Sequence, residues 1–294
     1  MKKLIRILFV AVIILLPALF LSMSGKSAAG GDSGVDAITQ STPSMERKGM
    51  RKVTTDGGVT VTWLSDEGDG KLMSIDIFPD APDSLIDALD VRGGVPSSVS
   101  AFVVETGGVT VLFDTGMGAK DSKLRSRLRQ MGMGAKDVRQ IFLTHFHADH
   151  IGGMMKGGEP VFPNAEVYAS REEYEAWMSM PAEKNKMQAE TMEAYKDRLY
   201  LFEYGDTLPG GVIALDARGH TPGHTAFQTS DLLVIGDLMH GAALQLTHPE
   251  INASFDMDKD AAAASRRRLI DYAKDNGLTM AGMHLPPPAF IPIR

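Results

Sequence analysis

Three of the chain's eight histidines and one aspartate fall within six residues, in the stretch Thr144-His-Phe-His-Ala-Asp-His-Ile-Gly-Gly153. Any fold that carries this segment must bring several imidazoles and a carboxylate to one place. Packed together without a cation, such groups are mutually unsatisfied or repelling. A solvated polar loop is the plainer alternative, but it gives no reason for the clustering. Gln140-Ile-Phe-Leu-Thr144 reads as a short buried strand that delivers the chain to His145. If that strand ends at Thr144, His145 and His147 point to the same side and their rings can converge on one ion. Asp149 and His150 lie past the turn, where they can serve a second ion, and Gly152 and Gly153 let the backbone turn tightly. Imidazole and carboxylate without thiolate suit zinc, with iron, manganese and cobalt compatible. The sequence thus points to two divalent metal ions as cofactors.

The rest of the chain supplies a scaffold of alternating type. Val59 to Leu64, Leu72 to Phe78, Ser100 to Thr106 and Val109 to Phe113 carry strand patterning, the last two split by the hairpin signal Gly107-Gly108. An amphipathic helix is expected over Asp121 to Met131 with a glycine stop at Gly132. Glu166 to Ala169 is a further strand. Ser170 and Glu173 form a capping box for a helix through Trp177, which Pro181 breaks, and Met187 to Leu199 is helical again. Together these make a helical insertion around residues 170–199, either a solvated excursion or a substrate lid. Val212 to Leu215, Leu232 to Ile235 and Leu278 to Met283 read as short strands, and Asp258 to Ala273 as a long helix before a proline-rich tail. Runs of strands with interspersed helices predict an α/β (α+β) fold with two sheets face to face and helices outside, an αββα sandwich.

The first residues differ from everything after them. Met1 to Arg6 is basic and Ile7 to Leu21 is an apolar run interrupted by Pro17, the pattern of a secretory signal over residues 1–24. Its roughly 22 Å of helix falls short of the roughly 30 Å hydrocarbon core, so a membrane anchor made by an uncleaved signal is the lesser reading. Residues 25–50 read as a flexible linker and 51–294 as the domain. Export to the periplasm or the exterior is expected, with no membrane partner once the signal is cleaved. Cysteine is absent, so neither disulfides nor lipid acylation at cysteine contributes. Removing Lys2, Lys3 and Arg6 takes the formal charge from −7 to −10, and no basic block remains downstream. Nucleic acid is therefore excluded as a partner and a small-molecule substrate is expected. Oligomeric state is open, a homodimer being compatible.

His145-Phe-His-Ala-Asp-His150 resembles the signature of the metallo-β-lactamase superfamily, whose domain is the αββα sandwich. The resemblance implies further ligands in order: His220 in Gly219-His-Thr-Pro-Gly-His224, a bridging Asp237 after Gly236, and His284 after Ala281-Gly-Met. It implies one ion on His145, His147 and His220, another on Asp149, His150 and His284, and Asp237 shared between them. It also implies that Asp114, in Val111-Leu-Phe-Asp-Thr-Gly116, orients a ligand histidine from behind. Asp237 and the lack of cysteine disfavour antibiotic hydrolysis. The segments Pro96 to Glu105, Val111 to Gly116 and Gly236 to Gln245 resemble the methyl parathion hydrolase and N-acyl-homoserine lactonase branch, with His240 where lactonases usually carry tyrosine.

The resemblance and the clustered ligands together predict a hydrolase in which a hydroxide bridging the two ions attacks an ester, lactone or phosphotriester, with Asp149 or His240 as catalytic residues handling a proton on the leaving group. The alternatives are a glyoxalase II-like thioesterase and a non-catalytic metal-binding protein of the same fold. His224 is expected to support its loop, His248 to lie outside the pocket, and Trp63 and Trp177 to pack. Met178, Met180, Met187 and Met192 are either core or an apolar wall for an acyl chain.

Overall fold

Along the strand Ser100–Thr106, Phe102 and Val104 face one way and Ala101 and Val103 the other, and all four are buried. A strand covered on both faces needs a packed layer on each side, and this alternation sets the architecture. The computed structural model describes residues 46–67 and 71–293. The expected signal over residues 1–24 and the part of the expected linker up to residue 45 lie outside them. Eight strands form the first sheet in chain order: β1 (Glu46–Arg47), β2 (Met50–Thr54), β3 (Thr60–Ser65), β4 (Ser100–Thr106), β5 (Val109–Phe113), β6 (Gln140–Phe142), β7 (Glu166–Ser170) and β8 (Leu199–Phe202). β1 to β5 pair antiparallel, whereas β5 to β8 run parallel. Gly107 and Gly108 turn β4 into β5 at φ 53° and 80°, so Thr106 faces Val109 as the dipeptide predicts.

The second sheet is likewise sequential: β9 (Thr207–Leu208), β10 (Val212–Asp216), β11 (Thr225–Thr229), β12 (Leu232–Val234), β13 (Thr279–Ala281) and β14 (Phe290–Pro292). Only β12 and β13 pair in parallel. Between the sheets, Trp63, Phe102, Phe113 and Phe142 meet Ala214, Ala226 and Phe227. The Phe227 ring lies 5.4–5.7 Å from those of Phe113, Phe142 and Phe202, which stitches one sheet to the other. On the outer face of the first sheet, Val103, Leu112, Ile141 and Val167 pack with Leu124 and Leu128 of α1 (Leu124–Gln130). Trp177 of α3 (Arg171–Met178) and Met192 and Tyr195 of α4 (Ala182–Tyr195) complete that layer. A further helix, α5 (Lys259–Asp275), lies against the second sheet, where Tyr272 donates to Gln228 at 2.6 Å. The result is the four-layer αββα sandwich.

Several boundaries differ from the sequence reading. Among the described residues the sheet runs from Glu46, so residues 46–50 belong to a hairpin and not to a linker, because Met50 finds a buried place opposite Leu64. Only Lys71–Met73 of the expected strand to Phe78 is extended. Ser74 then caps a 3₁₀ turn by accepting from the Asp76 amide. The second helix of the insertion starts at Ala182, five residues early, since Pro181 supplies the residue before the first turn. The proline-rich tail carries β14, which pairs with β13. Met192 is buried in the core and Met178 and Met180 pack against it, so these three are not a free wall for an acyl chain. Among the described residues no helix is long and apolar enough to cross a membrane.

Phe227→Ala leaves a cavity where four aromatic rings meet and should cost about 3–5 kcal/mol, read as a lowered midpoint in urea unfolding.

Candidate metal centre

The parallel pairs β5–β6 and β12–β13 end at the same edge of the sandwich, and the chemistry sits just past those ends. Asp114 follows β5, His145 stands three residues past β6, Asp237 three past β12, and His284 three past β13. His147 precedes the short helix α2 (Ala148–Ile151), which carries Asp149 and His150, and His220 lies in the loop between β10 and β11. The sharp turn is possible because Gly153 is bare: a Cβ there would collide with the Thr115 carbonyl oxygen. Gly236, at φ 52°, likewise leaves no room for a side chain beside His224 and Thr144.

Two four-membered groups of donor atoms result, each mutually within 4.8 Å: His145, His147, His220 and Asp237 in one, Asp149, His150, Asp237 and His284 in the other; a smaller group joins His220, His240 and Asp256. The two four-membered groups share Asp237. His145 Nε2 lies 3.1 Å from His147 Nδ1, which lies 2.9 Å from His220 Nε2. Asp237 reaches His150 Nε2 at 3.1 Å through Oδ1, and through Oδ2 it reaches His284 Nε2 at 3.1 Å and His220 Nε2 at 3.3 Å. Asp149 stands 3.2 Å from His284 Nε2. All the residues expected from the sequence are therefore brought together.

The far sides of the rings explain why these nitrogens face inward. His150 Nδ1 donates to Asp114 at 2.7 Å, His220 Nδ1 to Asp256 at 3.0 Å, and His284 Nδ1 to the Ser98 carbonyl at 2.8 Å. The Thr144 hydroxyl donates to Asp114 at 2.8 Å and so accepts from His145 Nδ1 at 3.0 Å. With the proton fixed on Nδ1, each Nε2 presents a lone pair to the centre. Lone pairs cannot hydrogen-bond one another, and a cation satisfies them together. The buried His150 Nε2 and Asp237 Oδ1 have no hydrogen-bond partner, which fits the same requirement. The residues present suit two divalent ions of zinc type.

Without a cation the electrostatics are divided. Burial, helped by the neighbouring imidazoles, pushes His147 down to about 3 and His145 well below the usual range. Burial opposes charge on His284 too, but Asp237 and Asp149 outweigh it and raise the ring to about 10. His150 and His220 are raised for the same reason, by Asp237 with Asp149 and Asp114, and by Asp237 with Asp256. His240 is buried, with Nε2 3.2 Å from Asp237 and Nδ1 without a partner, and burial lowers it to about 4.

Three acidic or basic side chains of the centre were not legible from spacing. Asp256 supports His220 and is paired with the buried Arg266 at 3.0 Å, so that burial is outweighed and its carboxyl sits at about 2. Arg266, in the run of three arginines on α5, also donates to the carbonyls of Leu238, Pro249 and Ile251. The carboxylate of Glu173 does not turn back to its own helix cap. It is buried and receives hydrogen bonds from Phe146, Trp177, Thr221 and Gly223. His224 spends both nitrogens, donating to the Ala217 carbonyl and accepting from the Asp237 amide, and supports its loop as expected. His248 lies at the surface, 3.2 Å from Glu250.

Asp114 adopts φ 56°, a conformation asparagine tolerates, so Asp114→Asn removes charge without adding strain. Zinc affinity should fall about 10–100-fold, measured by competition with a chromogenic chelator.

Comparison with known proteins agrees with this geometry. Residues 94–284, which include every candidate ligand, match the model of the metallo-beta-lactamase superfamily. A probable metallo-hydrolase of Mycobacterium tuberculosis is 25% identical, over 45% of this chain and 53% of its own length. The chain thus spans about half the length of that relative. N-acyl homoserine lactonase AiiB of Agrobacterium fabrum is 32% identical over 18% of this chain and 28% of that protein. Among solved structures, the dizinc quorum-quenching lactonase AidC superposes with a TM-score of 0.74 at 25% identity, covering 82% of this chain and 92% of that one. The hydrolase AbOPH superposes with a TM-score of 0.72 at 29% identity, covering 84% and 94%. A filled set of ligand positions, the αββα frame that presents it and the matched family model agree: this chain belongs to the metallo-beta-lactamase superfamily.

Proposed function

We propose that the chain is an exported hydrolase that uses two divalent ions, zinc by donor chemistry with iron, manganese or cobalt compatible, to cleave an ester, lactone or phosphotriester. The observation that carries this reading is the pair of donor groups sharing Asp237. Ions held there supply Lewis acidity and bring the pKa of a bound water near 7. The ligands on one side are His145, His147 and His220, on the other Asp149, His150 and His284.

The protein's own groups supply position and protons. Asp149 keeps 23% of its side chain exposed, whereas Asp237 is buried, so Asp149 is the carboxylate a leaving group can approach. His240 stacks on His284 with ring centroids 5.1 Å apart and lies 5.6 Å from Phe255, a half-exposed ring at the edge of the centre. We assign these two residues to proton transfer at the leaving oxygen. A small molecule with an apolar portion suits the exposed face of Phe255. AidC, a lactonase, and AbOPH, a hydrolase, support the substrate range. The export part of the proposal rests on the basic and apolar pattern of residues 1–24.

Metal analysis of the purified protein, followed by a panel of aryl esters, acyl-homoserine lactones, organophosphate triesters, thioesters and a β-lactam, tests the reading. Two ions per chain with turnover of an ester, lactone or phosphotriester is the expected result. Preference for the thioester would favour the glyoxalase II-like alternative, and bound metal without any turnover a non-catalytic protein. His240→Phe, which removes no member of either four-membered donor group, should keep both ions and lose about 10²-fold or more in kcat. Unchanged turnover would remove His240 from the chemistry.

A further inference from the structure

The His145–His147 segment is held from outside by the helical insertion. Phe146 separates the two histidines, and its peptide groups are gripped at both ends. Its N–H donates to Glu173 Oε1 of α3 at 2.9 Å, and its carbonyl accepts from Gln188 Nε2 of α4 at 2.9 Å. The other oxygen of Glu173 accepts from the Thr221 hydroxyl and the Gly223 amide, both at 2.8 Å, in the loop that carries His220. One carboxylate therefore ties together the two loops that present His145, His147 and His220. Trp177 completes the set by donating to Oε1 at 2.7 Å, with its ring 5.8 Å from that of His147. The two helices are themselves joined, since Asn185 donates to the Trp177 carbonyl at 2.9 Å.

The carboxylate is costly where it sits. Glu173 is buried and has four donors but no cationic partner among them, and burial pushes its pKa up. A group of this kind is tolerated when its hydrogen bonds are complete, and here each of them fixes backbone or side chain beside a candidate ligand. Gly223 approaches so closely that a Cβ would run into the Glu173 backbone. Among the described residues the side-chain hydrogen bonds of Glu173 and Gln188 go to Phe146, Trp177, Thr221 and Gly223, and none goes to Asp149, His150 or His284.

We propose that Glu173, assisted by Gln188, is a positioning residue through which the insertion sets the geometry of one ion site, that of His145, His147 and His220. The proposal rests on the metal-centre reading above. It makes the insertion a brace, in place of the solvated excursion or the lid suggested by its sequence. Glutamine at position 173 keeps one accepting oxygen, but its amide nitrogen cannot accept from a peptide N–H. One of the two loops then loses its anchor.

Zinc binding to the full-length chain, titrated against a chelator, separates the roles. In the wild type two binding steps are expected, one of them abolished by His147→Ala. Glu173→Gln should weaken that same step by about 10–100-fold and leave the other unchanged. Gln188→Ala should weaken the same step to a smaller degree, and it decides the matter if the glutamate variant fails to fold. Wild-type affinity at both steps in Gln188→Ala and in a folded Glu173→Gln, even with a lowered melting temperature, would reduce the contacts to ordinary packing and overturn the proposal. So would equal weakening of both steps. Binding is read without substrate, so a chain that takes up two ions yet hydrolyses nothing would sink the proposed activity while the affinities still decide the brace. A wild-type chain that binds no divalent ion would remove both.

Discussion

Asp237 places one buried carboxylate among the rings of His145, His150, His220, His240 and His284, at 3.1–3.7 Å from their nitrogens. Removing a carboxylate from water costs several kcal/mol even after relaxation, so this position is sustainable only if positive charge gathers around it. The geometry of the domain serves that condition. Two parallel strand pairs, one in each sheet, end at the same edge, and the chain leaves them through Asp114, His145, Asp237 and His284. Gly236 allows the approach, and His224 takes the Asp237 amide so that the backbone is fixed where the carboxylate must stand.

The ligands were legible because their chemistry is concentrated in sequence. His145, His147, Asp149 and His150 are neighbours along the chain, and no ordinary surface or core pattern asks for them. Once that motif indicated the fold, His220, Asp237 and His284 could be sought after strands in order, and the structure brings all of them to one point. Asp114 was readable through the same resemblance, and the structure places it just past β5, where it accepts from the Thr144 amide just past the end of β6. The strands were legible where apolar alternation was strong, as in Ser100–Thr106. The edge hairpin of β1 and β2 was not, because Glu46 to Arg51 is polar and its pairing is dictated by the neighbouring strand.

Glu173, Asp256 and Arg266 were missed for a different reason. A local rule already accounted for Glu173 as a capping glutamate, Asp256 falls outside every expected element, and Arg266 lies in a run of three arginines on a helix. The Ser170 cap does form, so the local expectation was fulfilled by the backbone while the carboxylate turned elsewhere. Partners 27 to 50 positions away decide the role of Glu173, and no periodicity within one element can report them. The insertion was opaque on the same account. Its helices look polar because much of their surface is, yet Trp177, Met192 and Tyr195 are buried against the first sheet.

The charges in and behind the centre also explain why these residues occur together. Five carboxylates gather there, those of Asp114, Asp149, Asp237, Asp256 and Glu173, and among the described residues Arg266 is the permanent cation that pairs with one of them. The carboxylates outnumber that cation, and divalent ions would offset the excess of negative charge. In the bare chain protons take part of that role, since His150, His220 and His284 are all raised by the carboxylates facing them. Protons and metal ions are thus alternatives for the same lone pairs. Each anion has its own compensation: Asp256 has Arg266, Asp114 has His150 and Thr144, and Glu173 has four neutral donors. Asp149 and Asp237 are compensated by the rings of the centre, and of the two Asp237 is the one fully removed from solvent, so it is the group whose burial depends most directly on what those rings hold.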